Sequence, residues 1–98
     1  MKIKREIKNT SNYLKAIADP ARLSVLSMLA EKEMYVGQMI KLLKIEPTLL
    51  SHHLSILKDV GLIIGTRKGK PVLYKLNPKA KIRGKNPGIQ LGGSKFIF

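Results

Sequence analysis

Residues 46–76, EPTLLSHHLSILKDVGLIIGTRKGKPVLYKL, decide the predicted fold because they join a helix pattern directly to a hairpin pattern. Pro47 fits the first turn of a helix, where no backbone N–H is missed. Apolar side chains then recur at the spacing of one helix face: Leu50, Leu54, Leu57 and Val60. Gly61 ends this pattern as a typical residue at the carboxyl end of a helix. The segment therefore predicts an amphipathic helix from Pro47 to Val60.

A β-hairpin is predicted immediately after this helix. Apolar residues stand on both sides of a glycine turn: Leu62 and Ile64 before it, and Val72, Tyr74 and Leu76 after it. Gly69 supplies the positive φ that a tight hairpin turn often needs. The turn also carries three cations: Arg67, Lys68 and Lys70.

Three shorter helical patterns precede these elements. Asp19-Pro20 predicts a helix start, with the Asp19 carboxylate as acceptor for a free N–H and Pro20 at the first helical position. Arg22, in the first turn, either contacts a phosphate or pairs with Asp19. The apolar faces comprise Leu14, Ile17 and Ala18, then Leu23, Leu26, Leu29 and Ala30, and finally Val36, Met39, Ile40 and Leu43. A short extended piece, EKEMYV, separates the second helix from the third. The predicted fold class is mainly α with a β-hairpin wing (α+β), a winged helix-turn-helix.

The charge of the chain predicts a polyanionic partner. Its 98 residues contain 19 Lys and Arg against 6 Asp and Glu, a formal net charge of +13. The packing of one small domain does not need such an excess. Residues 60–98 contain nine basic residues and no acid, so this half of the chain is the predicted electrostatic face.

The absence of cysteine excludes a disulfide framework, a thiolate zinc site and a cysteine nucleophile. No apolar run reaches the roughly 18 residues of a membrane span, and no apolar signal segment follows the basic start MKIKREIKN. These features predict a cytoplasmic protein, or one in another compartment that holds nucleic acid. Binding to anionic lipid stays open, although the charge lies mostly on loop and strand sequence.

The order of the elements predicts how nucleic acid is bound. A helix fits the DNA major groove, while a basic hairpin beside it reaches phosphates or the neighbouring minor groove. The inward stripe of the Pro47 helix leaves four short polar residues outward: Thr48, Ser51, His52 and Ser55. We expect these side chains to face base edges and phosphates.

Two histidines stand side by side at positions 52 and 53. Successive residues of a helix lie about 100° apart, so His52 and His53 do not converge on one metal ion. No nucleophile or carboxylate stands at a spacing that would orient either ring for catalysis. We predict that His52 contacts DNA. For His53 two interpretations stay open: a phosphate or hairpin contact at the flank, and a half-exposed surface residue without a role.

Three separated signatures resemble the ArsR/SmtB family of winged-helix transcriptional repressors, over about Tyr13 to Leu76. They are the helix start ADPARL, the recognition-helix motif SHHL and the wing sequence GKPVLYKL. The resemblance implies a homodimer that binds a palindromic operator, blocks transcription and releases DNA when an inducer binds. It places Pro47, Thr48, Ser51 and His52 at groove-reading positions, and Arg67, Lys68 and Lys70 in the wing.

The chain departs from this family's pattern at three places. Metal-sensing members carry a cysteine motif where this chain has MYVGQ, residues 34–38, or an acidic, histidine-bearing C-terminal helix where this chain has a tail rich in Gly and Pro. We therefore predict no classical metal site and no cofactor. In the resembled family that C-terminal helix usually forms part of the dimer interface, so the way in which this chain dimerises stays open. Glu46 replaces the usual Ser or Thr before the recognition helix, which predicts a weak cap.

Residues 77–98 are predicted to form a basic, irregular tail, because Gly and Pro are frequent there. Its first cations, Lys79, Lys81, Arg83 and Lys85, are either a solubilising run or an arm that adds DNA affinity. The apolar end, Phe96 to Phe98, is expected to dock on the core or on a partner subunit, so the tail is either docked or a dimer arm.

Taken together, these patterns predict a sequence-specific double-stranded DNA-binding regulator, a dimeric repressor, with residues 1–76 as the DNA-binding domain. Two alternatives stay open: a sequence-tolerant architectural protein that coats nucleic acid, and a winged-helix module that binds a protein. An enzyme is not expected, because no acid/base pair or nucleophile constellation stands in the sequence.

Overall fold

The computed structural model describes residues 11–82, 88–91 and 94–97. Within residues 11–82 the helices are α1, which includes residues 11–17, α2 at Pro20–Glu31, α3 at Val36–Leu43 and α4 at Pro47–Asp59. The strands of this part are β1 at Met34–Tyr35, β2 at Ile63–Arg67 and β3 at Val72–Leu76. The predicted order of helices followed by a hairpin is confirmed. No helix in the described ranges is long and apolar enough to span a membrane.

β1, β2 and β3 form one antiparallel sheet with β3 in the centre. In its register Arg67 pairs with Val72 at the end of the hairpin. The Lys68 N–H donates a hydrogen bond to the Pro71 carbonyl oxygen at 2.8 Å, and Gly69 has the predicted positive φ, 72°. We call the hairpin of β2 and β3, with the turn between them, the wing.

The short extended piece between α2 and α3 is the third strand of this sheet. Met34 pairs with Tyr74, and Tyr35 pairs with Leu73. Two residues carry too little alternation for the sequence to indicate a partner strand, so this pairing was not predicted. It anchors the start of α3 at the wing, where the Tyr35 N–H donates to Gln38 Oε1 at 2.9 Å.

The core joins α2, α3 and α4 to the base of the wing. Its fully buried large side chains are Val25, Leu26, Leu29, Met39, Leu50, Leu57, Leu62 and Ile63. The predicted inward stripe of α4 is confirmed, with Val60 half-buried at its end. Full burial of a side chain of this size contributes about 1.5–3 kcal/mol, so the cluster fixes α4 relative to the wing.

Three residues that the sequence predicts to face the core are exposed: Leu14, Ala18 and Leu23. Leu14 on α1 is 45% exposed and Leu23 on α2 is 41% exposed. The inward residues of α1 are Ala16 and Ile17, and the buried face of α2 begins after Leu23. Apolar residues stand on more than one face of both helices, so packing against neighbours, and not periodicity, selects the buried face.

The inward register of β2 differs by one residue from the predicted one. Leu62 and Ile63 are buried, whereas Ile64 is only half-buried. Gly61 has a φ of 80° and turns the chain after α4. Leu62 therefore lies in that turn, and the alternation of the strand begins at Ile63.

The prediction of an irregular tail is wrong for the described part of residues 77–98. Lys81–Ile82, Gly88–Leu91 and Ser94–Ile97 are strands β4, β5 and β6 of a second antiparallel sheet, ordered β4-β5-β6, and β5 lies beside α2. Gly and Pro exclude a long helix, but strands this short fit between them. Arg83, Lys85 and Phe98 lie outside the described residues, and for Lys81, Phe96 and Ile97 the structure describes the backbone alone, so the predicted roles of these side chains stay predictions.

Asn77 fixes the point where the tail leaves the wing. Its Nδ2 donates to the Gly61 carbonyl oxygen at 2.9 Å, and its Oδ1 accepts from the Lys79 N–H at 3.0 Å. Its backbone N–H donates to the Leu62 carbonyl oxygen at 2.9 Å. The end of β3 is therefore tied to the end of α4.

Candidate nucleic-acid interface

α4 begins with a glutamate cap. Glu46 has an extended backbone (φ −65°, ψ 132°), and its carboxylate accepts a hydrogen bond from the Leu49 N–H at 3.0 Å. The expectation of a weak cap is wrong, because the longer side chain folds back onto an N–H that Ser or Thr commonly takes. A negative charge is also favourable at a helix N-terminus. Lys44, in the left-handed conformation (φ 51°), ends α3 and makes the connection to α4 tight.

The face of α4 that points away from the core carries short polar side chains. The residues predicted to contact DNA there are all exposed: Pro47, Thr48, Ser51, His52 and Ser55. The opposite face is buried through Leu50, Leu54 and Leu57. Burial of these leucines holds the helix so that its polar face is presented to solvent.

The end of the wing carries the three predicted cations. Arg67, Lys68 and Lys70 are exposed. Arg67 Nη1 also donates a hydrogen bond to the Lys70 carbonyl oxygen at 3.1 Å, so its guanidinium supports the turn. The two lysine side chains supply positive charge at the end of the wing without that structural contact.

Sequence reasoning missed one acidic residue beside the wing. A shallow groove of about 200 Å³ is lined by Glu33, Thr66, Lys68, Leu73 and Lys75. Glu33 is distant from the wing in sequence, but it directly precedes β1, which pairs with β3. The positive surface of the wing therefore has a carboxylate on one side.

His53 is buried, so the interpretation of it as a half-exposed surface residue is wrong. It is 7% exposed, and its Nε2 lies 3.8 Å from Asp19 Oδ2 at the start of α2. His53 follows Leu50 by three residues and precedes Leu57 by four, so helical spacing already places it near the buried stripe. That spacing was the signal that could have located it.

Asp19 caps α2 as predicted and also faces α4 through His53. Its Oδ2 accepts hydrogen bonds from the Ala21 N–H at 2.9 Å and the Arg22 N–H at 3.1 Å. The Arg22 N–H is the main cause that holds the pKa of Asp19 below its ordinary value of 3.8, and the His53 ring and the Ala21 N–H act in the same direction. The carboxylate therefore stabilises the fold in its ionised form.

We expect acid to weaken the fold partly through Asp19. Because the folded state lowers its pKa, its stabilisation is present above the unfolded value of 3.8 and is lost as the pH falls through the folded value. Asp19→Asn keeps a capping side chain but does not titrate. The urea midpoint of the unchanged protein should therefore exceed that of Asp19→Asn near neutral pH, and the difference should shrink as the pH falls below 3.8. A constant difference across this range would contradict the role of ionised Asp19.

The Arg22 side chain forms no ion pair with Asp19 among the described residues, and its contact with a phosphate stays a prediction. Asp19 contacts Arg22 through the backbone N–H, and the Arg22 Nε is buried without a hydrogen-bond acceptor among the described residues. The side chain is half-buried and lines a cleft between α1, α2 and α4.

Within the described residues, no group of three or more His, Asp or Glu side chains comes together as metal ligands. Where metal-sensing relatives of the resembled family carry their cysteine motif, Met34 is buried in the core and the Gln38 side chain caps α3. The side chains at these positions therefore do not fit a thiolate metal site.

A recognition helix with an exposed polar face, joined through a tight turn to the preceding helix and followed by a basic β-hairpin, defines a winged helix-turn-helix protein. The chain belongs to the ArsR family of bacterial regulatory proteins. The family description "Bacterial regulatory protein, arsR family" matches residues 19–64. The chain is also 39% identical over 67 residues to the transcriptional repressor SdpR of Bacillus subtilis, covering 68% of this chain and 74% of SdpR. The predicted family and fold class are confirmed.

Two further comparisons agree with this assignment. The HTH-type transcriptional repressor SmtB of Mycobacterium tuberculosis is 37% identical over 73 residues, which cover 74% of this chain but 54% of SmtB. The chain thus spans about half the length of that relative. The solution structure of Mb0332 from Mycobacterium bovis, a homodimeric winged helix-turn-helix DNA-binding domain, superimposes with a TM-score of 0.66 at 26% identity, covering 78% of this chain and 68% of the fragment.

Proposed function

We propose that this chain is a sequence-specific double-stranded DNA-binding transcriptional regulator that acts as a dimeric repressor. The observation that carries the proposal is the exposed polar face of α4, followed along the chain by a hairpin whose end carries exposed cations. A helix of this size fits the major groove, and exposed lysines at its flank suit the phosphate backbone. The names of SdpR and SmtB, both called transcriptional repressors, support repression as the outcome.

The proposal divides the contact residues by role. Thr48, Ser51, His52 and Ser55, with Pro47 at the helix start, face the groove. Arg67, Lys68 and Lys70 approach phosphates, which fix the position of the protein on DNA without reading the sequence. His53 takes no part in this interface, because its ring packs against the start of α2.

Dimerisation is the second part of the proposal. The homodimeric structure of Mb0332 supports it, and Leu14 leaves an exposed apolar side chain on α1, the helix that the family resemblance places in the dimer contact. Residues 1–76 then form the DNA-binding domain and residues 77–98 a docked tail or dimer arm. A protein that binds bacterial genomic DNA acts in the cytoplasm, which is the proposed location of this chain. The chain is also proposed to have no enzymatic activity.

The proposal is tested by fluorescence-anisotropy titration at near-physiological salt. A palindromic duplex selected from random DNA is compared with its scrambled version. We expect the selected duplex to bind about 10³-fold or more tightly. A ratio near one, with a steep loss of binding in salt, would instead indicate an architectural protein that coats DNA through its +13 charge.

A further inference from the structure

A cleft of about 300 Å³ lies between α1, α2 and the C-terminal part of α4. Its walls are formed by Asn12, Lys15, Ala16, Arg22, Ile56 and Val60. Three of these residues are polar or charged, and three are apolar. A smaller depression of about 180 Å³ at its edge shares Asn12 and Val60 and also touches Asp59.

Both charged residues that line the cleft are cations. Lys15 is exposed and carries its charge on a flexible four-carbon stem, whereas Arg22 is half-buried. The Arg22 Nε is buried and lacks an acceptor within residues 11–82, and leaving such a group unpaired is unfavourable. A carboxylate or phosphate oxygen is the acceptor that best suits a guanidinium.

The acidic groups near Arg22 do not neutralise the cleft. The Asp19 carboxylate accepts two backbone N–H groups and faces His53, and the charge of Arg22 is the smallest of the influences that lower the pKa of Asp19. Asp59 lies at the smaller depression and does not line the cleft itself. The two cations therefore act on the cleft without a carboxylate among its walls.

We propose that this cleft binds a small organic anion, a carboxylate or phosphate ester that carries a short apolar chain. Lys15 and Arg22 hold the anionic group, Asn12 adds a hydrogen-bonding amide, and the chain lies against Ala16, Ile56 and Val60. The volume is at the lower end of the range of small-molecule sites, about 300–1,000 Å³, which limits the ligand to a few carbon atoms beyond the charged group.

The apolar wall argues against a DNA phosphate as the occupant. A backbone phosphate gains nothing from contact with Ile56 or Val60. Ile56 follows His52 by four residues, about 40° around the α4 axis, so the cleft adjoins the flank of the polar face. The test of the cleft therefore uses the protein alone, without DNA.

The first experiment titrates the full chain with three probes and follows backbone amide shifts by NMR. Butyrate carries the charge and the apolar chain, butyramide carries only the chain, and inorganic phosphate carries only the charge. We expect butyrate to shift Ala16, Ile56 and Val60 saturably and to bind more tightly than either other probe. Equal binding of butyramide or of phosphate, or shifts that do not saturate, would overturn the proposal.

The second experiment separates the cleft from the general positive charge of the chain. Lys15→Gln changes an exposed residue of the cleft, and Arg22→Met removes the half-buried charge. We expect each to weaken butyrate binding by about tenfold or more. Lys41→Gln, an exposed lysine on α3 outside the cleft, is the matched control and should leave binding unchanged. Equal losses of butyrate binding in Lys15→Gln and Lys41→Gln would contradict the site. So would unchanged butyrate binding in both cleft variants together with weaker DNA binding.

Discussion

Replacing Leu50 with alanine is expected to lower the free energy of unfolding by about 2–5 kcal/mol. The Leu50 side chain is fully buried on the inner face of α4, so its truncation removes apolar contacts and leaves a cavity in the cluster that holds the helix. A domain of this size has a total stability of only about 5–15 kcal/mol. Urea unfolding followed by circular dichroism measures the loss directly.

Leu49→Ala is the matched control for this prediction. Leu49 is the neighbouring residue of the same helix turn, but its side chain is 47% exposed. The two variants change the same chemical group and the same helix propensity, and they differ mainly in burial. Leu49→Ala should therefore cost only about 0.5 kcal/mol. Equal losses in the two variants would mean that the core does not fix the orientation of α4.

The elements with strong local signals were predictable from the sequence. Asp19-Pro20 and Gly61 mark helix ends through their own backbone chemistry, and the structure places them there. The strand β1 and the exposure of Leu23 were not predictable, because both depend on distant segments. β1 exists only through its pairing with β3, and Leu23 is exposed because α2 packs through a neighbouring face.

For the candidate interface, the sequence predicted the exposed residues of α4 correctly but not the contacts of its buried residues. The stripe of Leu50, Leu54 and Leu57 fixes the polar face of α4 by geometry alone, so the exposed positions followed from it. The burial of His53 could have been predicted from its spacing to Leu50 and Leu57, but its partner Asp19 could not, because Asp19 lies at the start of a different helix. The approach of Glu33 to the wing likewise arises from packing of segments that are far apart in sequence.

Replacing Lys68 and Lys70 together with alanine should weaken binding to a selected operator duplex and to its scrambled version by the same factor, roughly 10- to 100-fold. If both side chains contact phosphates, the slope of log affinity against log salt should also fall by about 2. Arg67 is left in place because its guanidinium supports the turn by a hydrogen bond to the residue 70 carbonyl oxygen. The hydrogen bonds of the turn use the backbone of residues 68 and 70, so they persist in the double variant.

His52→Ala, measured on the same two duplexes, should give the opposite pattern. A contact to a base edge is worth about 1–3 kcal/mol of discrimination, so affinity for the selected duplex should fall while that for the scrambled duplex changes little. The salt slope should stay the same, because no phosphate contact is lost. If His52→Ala weakened both duplexes equally and the lysine variant altered only their ratio, then the wing would read the sequence and α4 would position the protein. The two roles proposed for this surface would have to be exchanged.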